Sequence, residues 1–303
     1  MIHLGNNLIS QTKDLKSIVL ASDYLVSYAG SNNEFYVCSY ANGQITTERF
    51  DGSGNKINQL ATALSFHKKY DYNFVAQYDS LRENSFDLAL AYLDDKKDPL
   101  IRLYRFDFNN KTTIVTEPIP NDRDYLKSLK AANPDSKLDH FADIKYLVPL
   151  QIINTPEKTF LIKEIQTSRT DEKGNTSAHF RMGSIISVYS KDLKLIKDIP
   201  INKWSSNRLW SMNQIHGHAK GNKLYVVTNE NDGLLGYQSL LYTISMNDFS
   251  MTSKNIPDPE SGINWITTPD NILWYNTNFI IPFLNAKASF KLKLNTAWVA
   301  ENY

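Results

Sequence analysis

The architecture is easiest to read from one stretch, Ser184-Ile-Ile-Ser-Val-Tyr-Ser-Lys-Asp-Leu-Lys-Leu-Ile-Lys-Asp-Ile-Pro200. It begins with a run of β-forming residues, Ser184–Tyr189, which is typical of a strand. The polar turn Lys191–Lys194 follows, and a second short strand leads to Ile199-Pro200. Because proline has no N–H to donate to a ladder, the Ile-Pro pair indicates the end of an outer edge strand. The stretch therefore predicts the outer two strands of a sheet.

The same arrangement recurs along the chain. Each copy has a strand with a central tyrosine, a polar turn, and a short strand that ends in Ile-Pro about eight to ten residues later. Two further copies occur, one on each side of this stretch. They contain the tyrosines Tyr104 and Tyr242, the turns Asn109–Lys111 and Asn247–Phe249, and the ends Ile119-Pro120 and Ile256-Pro257. Lys13–Lys16 repeats the turn near the start of the chain and continues into Ile18–Leu20. Such self-similarity indicates a repeat architecture.

The complete repeat contains four strands. One copy consists of Ile144–Ile152, Phe160–Ile165, Ser184–Tyr189 and Lys194–Ile199, and the next of Ser211–His218, Lys223–Thr228, Leu240–Ile244 and Thr252–Ile256. Four-stranded sheets that repeat about every 50 residues resemble the blades of a β-propeller. The resemblance covers nearly the whole chain but is architectural, because the Gly-His…Trp-Asp signature of WD40 blades is absent.

We therefore predict an all-β chain, with residues 1–303 forming a single β-propeller domain. The turns near residues 14, 53, 109, 192 and 248 imply five blades, or six if Asn55–Asp79 contains another. The last blade begins near Asn264 and lacks strands, so we expect the N-terminal strand to complete it and close the ring. One short helical insertion is predicted at 122–132, closed by Pro134.

Bulk composition excludes several classes of function. The 33 Lys and Arg residues nearly balance 32 Asp and Glu residues, giving +1, whereas nucleic-acid binders usually carry a basic excess. No apolar stretch reaches the roughly 20 residues of a membrane span. The N-terminus lacks the charged and apolar regions of a signal peptide. We expect either a cytoplasmic chain or the mature form of an exported one, and the oligomeric state stays open.

The single cysteine, Cys38, excludes an intrachain disulfide and Cys-based metal sites. It lies in the aromatic and β-branched run Glu34–Tyr40, so we expect a buried structural thiol rather than a nucleophile. No P-loop, Gly-X-Gly-X-X-Gly or Gly-X-Ser-X-Gly motif occurs. We expect no cofactor.

The candidate ligand site is one loop face of the propeller. In this architecture, ligands usually meet the loops between blades and between second and third strands. These loops in the later blades carry aromatic, amide and charged residues, which suit sugar rings or flat-faced ligands. The predicted ligand-binding residues are Trp204, Arg208, Trp210, His216, His218, Glu230 and Tyr237. The alternative for the tryptophans and tyrosines is packing between adjacent blades.

His216 and His218 are one residue apart, so on a strand they point to the same face. Two imidazoles with Glu230 or Asp232 could chelate a metal. Hydrogen bonds from the imidazoles to neighbouring backbone explain the pair equally well, and we predict no metal.

These features favour a non-catalytic binding or scaffold module that recognises a protein or a glycan. The alternative is an enzyme: five-bladed propellers include furanosidase-like glycoside hydrolases, which use axial carboxylates as acid and base. The resemblance would require acidic residues on successive innermost strands. Asp23, Asp79 and Asp143, which we place near the starts of first strands, are the candidates.

Overall fold

A computed structural model describes residues 23–29, 34–64, 73–78, 84–93, 99–120, 131, 144–170, 176–201, 211–231, 237–256, 263–268, 271–276 and 293–295. Within these ranges the chain forms twenty strands in five sheets, and every pairing between strands is antiparallel. The chain divides into two compact units, Met1–Pro120 with Asp192–Lys194, and Asn121–Lys191 with Leu195–Tyr303. The prediction of a single domain stays a prediction.

The first unit holds sheets A and B. Sheet A follows chain order with β1 (Asp23–Ala29), β2 (Phe35–Ala41), β3 (Gln44–Phe50) and β4 (Lys56–Ala63). Sheet B contains β5 (Asn73–Tyr78), β6 (Ser85–Leu93), β7 (Pro99–Asp107), β8 (Thr112–Val115) and β9 (Ile119–Pro120).

The outer strand of sheet B is interrupted, since β8 and β9 both pair with β7. At the break, the Thr116 amide donates to the Leu103 carbonyl over 3.0 Å. The Thr116 hydroxyl in turn accepts a hydrogen bond from the Leu103 amide over 3.0 Å. A side chain thus replaces a backbone acceptor, which keeps the buried amide satisfied.

The second unit holds sheets C, D and E. Sheet C comprises β10 (Ile144–Asn154), β11 (Lys158–Thr170), β12 (Thr176–Ser190) and β13 (Leu195–Ile201). Sheet D comprises β14 (Ser211–Lys220), β15 (Lys223–Asn231), β16 (Tyr237–Ser245) and β17 (Met251–Ile256). Sheet E comprises β18 (Ile263–Thr268), β19 (Asn271–Asn276) and β20 (Lys293–Asn295).

The predicted all-β class and blade-like, four-stranded antiparallel sheets are confirmed, and the two repeats read from the sequence are sheets C and D. Several boundaries differ. The predicted strands Phe160–Ile165 and Ser184–Tyr189 are parts of the longer strands β11 and β12, and β13 continues past Pro200 to Ile201. Pro200 can stay in the strand since β13 is an outer strand, while Ile201 is fully buried in the core. The N-terminal strand and the helical insertion, apart from residue 131, lie outside the described residues. Ring closure and blade number stay predictions.

Four predicted turns each join the third and fourth strands of a sheet, and each contains a residue with a left-handed backbone. These residues are Gly54 (φ 79°), Lys111 (φ 54°), Leu193 (φ 58°) and Phe249 (φ 60°). Aspartates brace several of these turns: an Asp51 carboxylate oxygen accepts hydrogen bonds from the Ser53 and Asn55 amides, both at 2.9 Å. The repeat is therefore visible in backbone conformation as well as in sequence.

Hydrophobic cores lie between neighbouring sheets of the same unit. Sheets A and B meet through aromatic side chains, with the Tyr36 and Phe86 rings stacked at 5.5 Å. Cys38 is fully buried in this core, as predicted, and burial raises its pKa to about 12. Sheets C and D meet through an aliphatic core that includes Ile153, Ile162 and Val226.

Candidate functional site

Strand register brings two predicted ligand-binding segments to one end of sheet D. Ser211, the first residue of β14, is opposite Asn231 near the end of β15, and Asn231 is opposite Tyr237, the first residue of β16. Glu230 is opposite both Met212 and Gln238. We call these six positions the loop edge of sheet D.

Two of the predicted ligand-binding residues, Glu230 and Tyr237, belong to this edge. Trp204, Arg208 and Trp210 lie outside the described residues, in the segment 202–210 that leads directly into Ser211. In sequence, Trp210 directly precedes Ser211, the residue of β14 that lies opposite Asn231.

The two histidines lie further along β14. His216 is opposite Val227 and His218 is opposite Tyr225. At about 3.3 Å per residue, these positions are roughly 16 Å and 23 Å from Ser211. His218 is half-buried. The two histidines therefore lie on β14 well away from the loop edge of sheet D.

The register also bears on the metal hypothesis. Glu230 is three residues beyond Val227, the partner of His216, which corresponds to about 10 Å along the sheet. Asp232 lies outside the described residues. Among the residues that the structure describes, no group of three His, Cys, Asp or Glu side chains could hold a metal ion.

The glycine between the histidines is a contact point of sheets C and D that sequence reasoning missed. The Gln151 side-chain amide donates to the Gly217 carbonyl over 2.9 Å, and the Gly217 amide donates to the Gln151 side-chain oxygen over 2.8 Å. A Cβ at Gly217 would lie 2.5 Å from Cδ1 of Ile153 and 2.8 Å from Cδ1 of Ile162. A glycine in the middle of a predicted strand is the sequence signal for such a close approach.

A second feature missed from the sequence is a buried polar cluster in sheet C. The Lys163 ammonium lies 3.5 Å from a carboxylate oxygen of Asp198, which also accepts a hydrogen bond from the Ser187 hydroxyl. Burial lowers the pKa of Lys163, and the Asp198 carboxylate partly opposes that shift. Since Lys163 is fully buried, the cluster is internal to the sheet and does not expose the Lys163 ammonium to a ligand.

The first unit contains a comparable pair. Arg105 donates to both carboxylate oxygens of Asp87 at 2.8 and 2.7 Å, and the two residues are directly opposite on β6 and β7. Both side chains are almost fully buried. The two charges neutralise each other within sheet B, so we assign this pair a structural role as well.

The three carboxylates predicted for a hydrolase differ in their position relative to the nearest strand. Asp23 is the first residue of β1, opposite Tyr40. Asp79 and Asp143 lie outside the described residues. In chain order, Asp143 comes directly before β10, whereas Asp79 comes directly after the end of β5 rather than before its start.

Comparisons with known proteins leave the family open. No family model matches the chain, and no curated protein matches it. Among solved structures, a Penicillium chrysogenum α-L-arabinanase complexed with arabinobiose is 13% identical with a TM-score of 0.45, covering 84% of this chain and 76% of that one. An α-L-arabinofuranosidase from Lactobacillus brevis is 9% identical with a TM-score of 0.40, covering 90% and 85%.

A third similar structure is a subtype N10 neuraminidase-like protein of A/little yellow-shouldered bat/Guatemala/060/2010, with 9% identity and a TM-score of 0.39. The match covers 73% of this chain, which spans about half (54%) of the neuraminidase-like chain. At these levels of similarity no residue role is carried over to this protein.

No helix in the described part is long and apolar enough to cross a membrane.

Proposed function

We propose that the protein is a glycan-recognition module whose site is the loop edge of sheet D with the segment 202–210. The observation that carries this proposal is the register, in which Ser211, Asn231 and Tyr237 form one row across three strands. The row ends at Ser211, which the tryptophan-bearing segment directly precedes in sequence, and this adjacency supports the proposal.

The residue types at this edge suit a sugar. Aromatic rings stack on the C–H faces of a pyranose or furanose, while carboxylate, amide and guanidinium groups hydrogen-bond its hydroxyls. Trp204, Trp210 and Tyr237 would supply the rings, and Arg208 and Glu230 the directional polar groups. A protein partner at the same edge stays a prediction, without a feature that favours it over a glycan.

The scaffold beneath the edge supports a preformed site. In β15 of sheet D, the alternate residues Leu224, Val226 and Thr228 are fully buried. Gln151 joins its first strand to the first strand of sheet C through two hydrogen bonds. A rigid platform lowers the entropic cost of ordering a site when a ligand binds.

The test is a glycan array followed by calorimetry on the glycans that bind, with arabinobiose included. Trp210→Ala and Tyr237→Ala should each weaken binding at least about tenfold, because each removes a stacking ring. Lys220→Ala is the matched control: it alters an exposed residue of the same sheet at the opposite end of β14. Absence of binding by the wild-type chain, or equal weakening by Lys220→Ala, would contradict the proposal.

A second candidate function is glycoside hydrolysis. The feature that favours it is a carboxylate at the start of the first strand of two sheets: Asp23 begins β1, and Asp143 directly precedes β10 in sequence. Asp23→Asn and Asp143→Asn should then abolish release of reducing sugar from a panel of oligosaccharides. Asp79→Asn is the matched comparison, because Asp79 follows its strand. Wild-type protein that binds a glycan but releases no sugar would exclude hydrolysis of that glycan.

A further inference from the structure

The outer strand of sheet A, β4, lacks the features that usually protect an edge. In the described part of the chain it pairs with β3 alone. It is eight residues long, contains no proline, and its four alternate residues Ile57, Gln59, Ala61 and Ala63 are exposed. Ile57 is 45% exposed, although it is a large hydrophobic residue. Such an edge is a template for pairing with another strand.

Each of the other complete outer strands carries a break, a proline or a charge, although β13 also exposes Leu195 and Ile196. The outer strand of sheet B is split into pieces of four and two residues, the second ending in Pro120. Strand β13 contains Lys197, Asp198 and Pro200. Strand β17 has an exposed lysine, Lys254, and Pro257 follows directly in the chain. Breaks, charges and prolines of this kind prevent edge-to-edge pairing.

The one charge on β4 is neutralised within sheet A. The Lys56 ammonium lies 2.9 Å from a Glu48 carboxylate oxygen and also donates to the Gln59 side-chain oxygen over 2.9 Å. It lies at the first position of the strand, so it leaves Ile57–Ala63 without charge.

We propose that β4 pairs antiparallel with β4 of a second copy of this chain, joining two A sheets across a two-fold axis. With a two-fold axis perpendicular to the sheet, the same face of both A sheets points in the same direction. The residue at the axis then lies directly opposite its own copy, so the pairing is centred on a residue near the middle of β4, Gln59 or Leu60. Lys56 then lies opposite Thr62 or Leu64 of the other copy and never opposite another lysine. In this register no like charges face each other, and the two exposed alanines leave room for side chains of the second copy.

The first test is sedimentation equilibrium of the full chain at concentrations from about 1 to about 200 μM. The wild-type protein should be a reversible dimer. Ala61→Lys should weaken the dimerisation constant about tenfold or more, since a lysine on an edge opposes pairing. Thr252→Lys places the same charge on an exposed position of β17 and should leave the constant unchanged within about twofold.

The second test is amide hydrogen exchange, which reports on β4 directly. Amides of Lys56–Ala63 that point away from β3 should become protected as the concentration rises, and Ala61→Lys should abolish this rise. A monomer at all concentrations overturns the proposal. So does protection of these amides at 1 μM in a monomer, which would show that another part of the same chain covers the edge. A dimer that Ala61→Lys leaves intact would show a different interface.

Discussion

At the scale of single residues, the four equivalent turns differ in how they accommodate a left-handed backbone. Gly54 does so without a side chain, whereas Lys111, Leu193 and Phe249 accept the strain that a Cβ brings there. Phe249 is held by its surroundings: it packs against the core between sheets C and D, and the Lys197 ammonium lies 5.8 Å from its ring centre. Lys111 is exposed and gains no such contact.

This contrast predicts opposite effects of the same substitution. Lys111→Gly should raise the free energy of unfolding by about 0.5–1 kcal/mol, because it relieves backbone strain at an exposed site. Phe249→Gly should lower it by about 1–2 kcal/mol, since the lost packing and cation–π contact exceed the relieved strain. Urea denaturation measures both. Destabilisation by Lys111→Gly would contradict the assignment of strain at that turn.

Cys38 provides a prediction on pH dependence. Its thiol is buried and accepts a hydrogen bond from the Thr47 hydroxyl at 3.5 Å, and desolvation by burial raises its pKa to about 12 from an ordinary value of 9.0. Above pH 9, the unfolded chain therefore loses a proton that the folded chain keeps. Stability must fall with rising pH in the window from about 9 to 12.

Through this one group, the unfolding free energy should fall by about 1 kcal/mol between pH 9 and 10 and by at most about 1.4 kcal/mol for any later pH unit. Between pH 9 and 10, before the tyrosines contribute strongly, the unfolding free energy of wild type should fall more steeply than that of Cys38→Ala. Denaturant titrations at the two pH values give the comparison. Parallel declines in the two proteins, or rapid alkylation of native Cys38 at pH 9, would show an accessible thiol instead.

At the scale of elements, the contact between sheets C and D depends on Gly217 having no side chain. Gly217→Ala should cost about 1–3 kcal/mol, since its Cβ would meet the terminal methyl groups of two buried isoleucines. Replacing Ile153 and Ile162 by valine removes both methyl groups. In that background Gly217→Ala should cost less than half as much, as a double-mutant cycle by thermal or urea unfolding will reveal. Strict additivity would mean that the glycine matters for another reason.

The sequence predicted elements well because their determinants are local. Alternating β-formers indicated the strands, and polar runs such as Lys191–Lys194 lie between the third and fourth strands as expected. The pattern ended this strand at Ile199-Pro200, whereas β13 continues to Ile201, because burial of Ile201 outweighs the signal of Pro200. The burial of Ile201 depends on contacts with neighbouring strands, and a local sequence pattern carries no information about those contacts.

The candidate site was less predictable, for a related reason. Placing Glu230 and Tyr237 at one end of sheet D required only the order of strands within one sheet. His216 and His218 were included because they lie on the strand that follows the tryptophan-bearing loop. The register takes both towards the opposite end of β14, and their part in a site stays a prediction. The Gln151–Gly217 pair joins residues 66 positions apart, and no periodicity within either strand indicates such a contact.

At the scale of the whole molecule, the charges nearly cancel, with a formal net charge of +1. Long-range attraction should therefore contribute little to recognition. Affinity for a neutral glycan should change less than about twofold between 50 and 500 mM salt, because stacking and hydrogen bonds at short range are weakly screened. Calorimetry at the two salt concentrations tests this, and a tenfold loss at high salt would indicate recognition through charge.

Amide hydrogen exchange with and without a bound glycan shows whether the loop edge of sheet D binds that glycan. Binding there should give new protection at Met212, Glu230, Asn231 and Gln238, with none at the opposite end, at Lys220 and Lys223. Protection confined to the Lys220–Lys223 end, or an exchange pattern that the glycan leaves unchanged throughout sheet D, would contradict it.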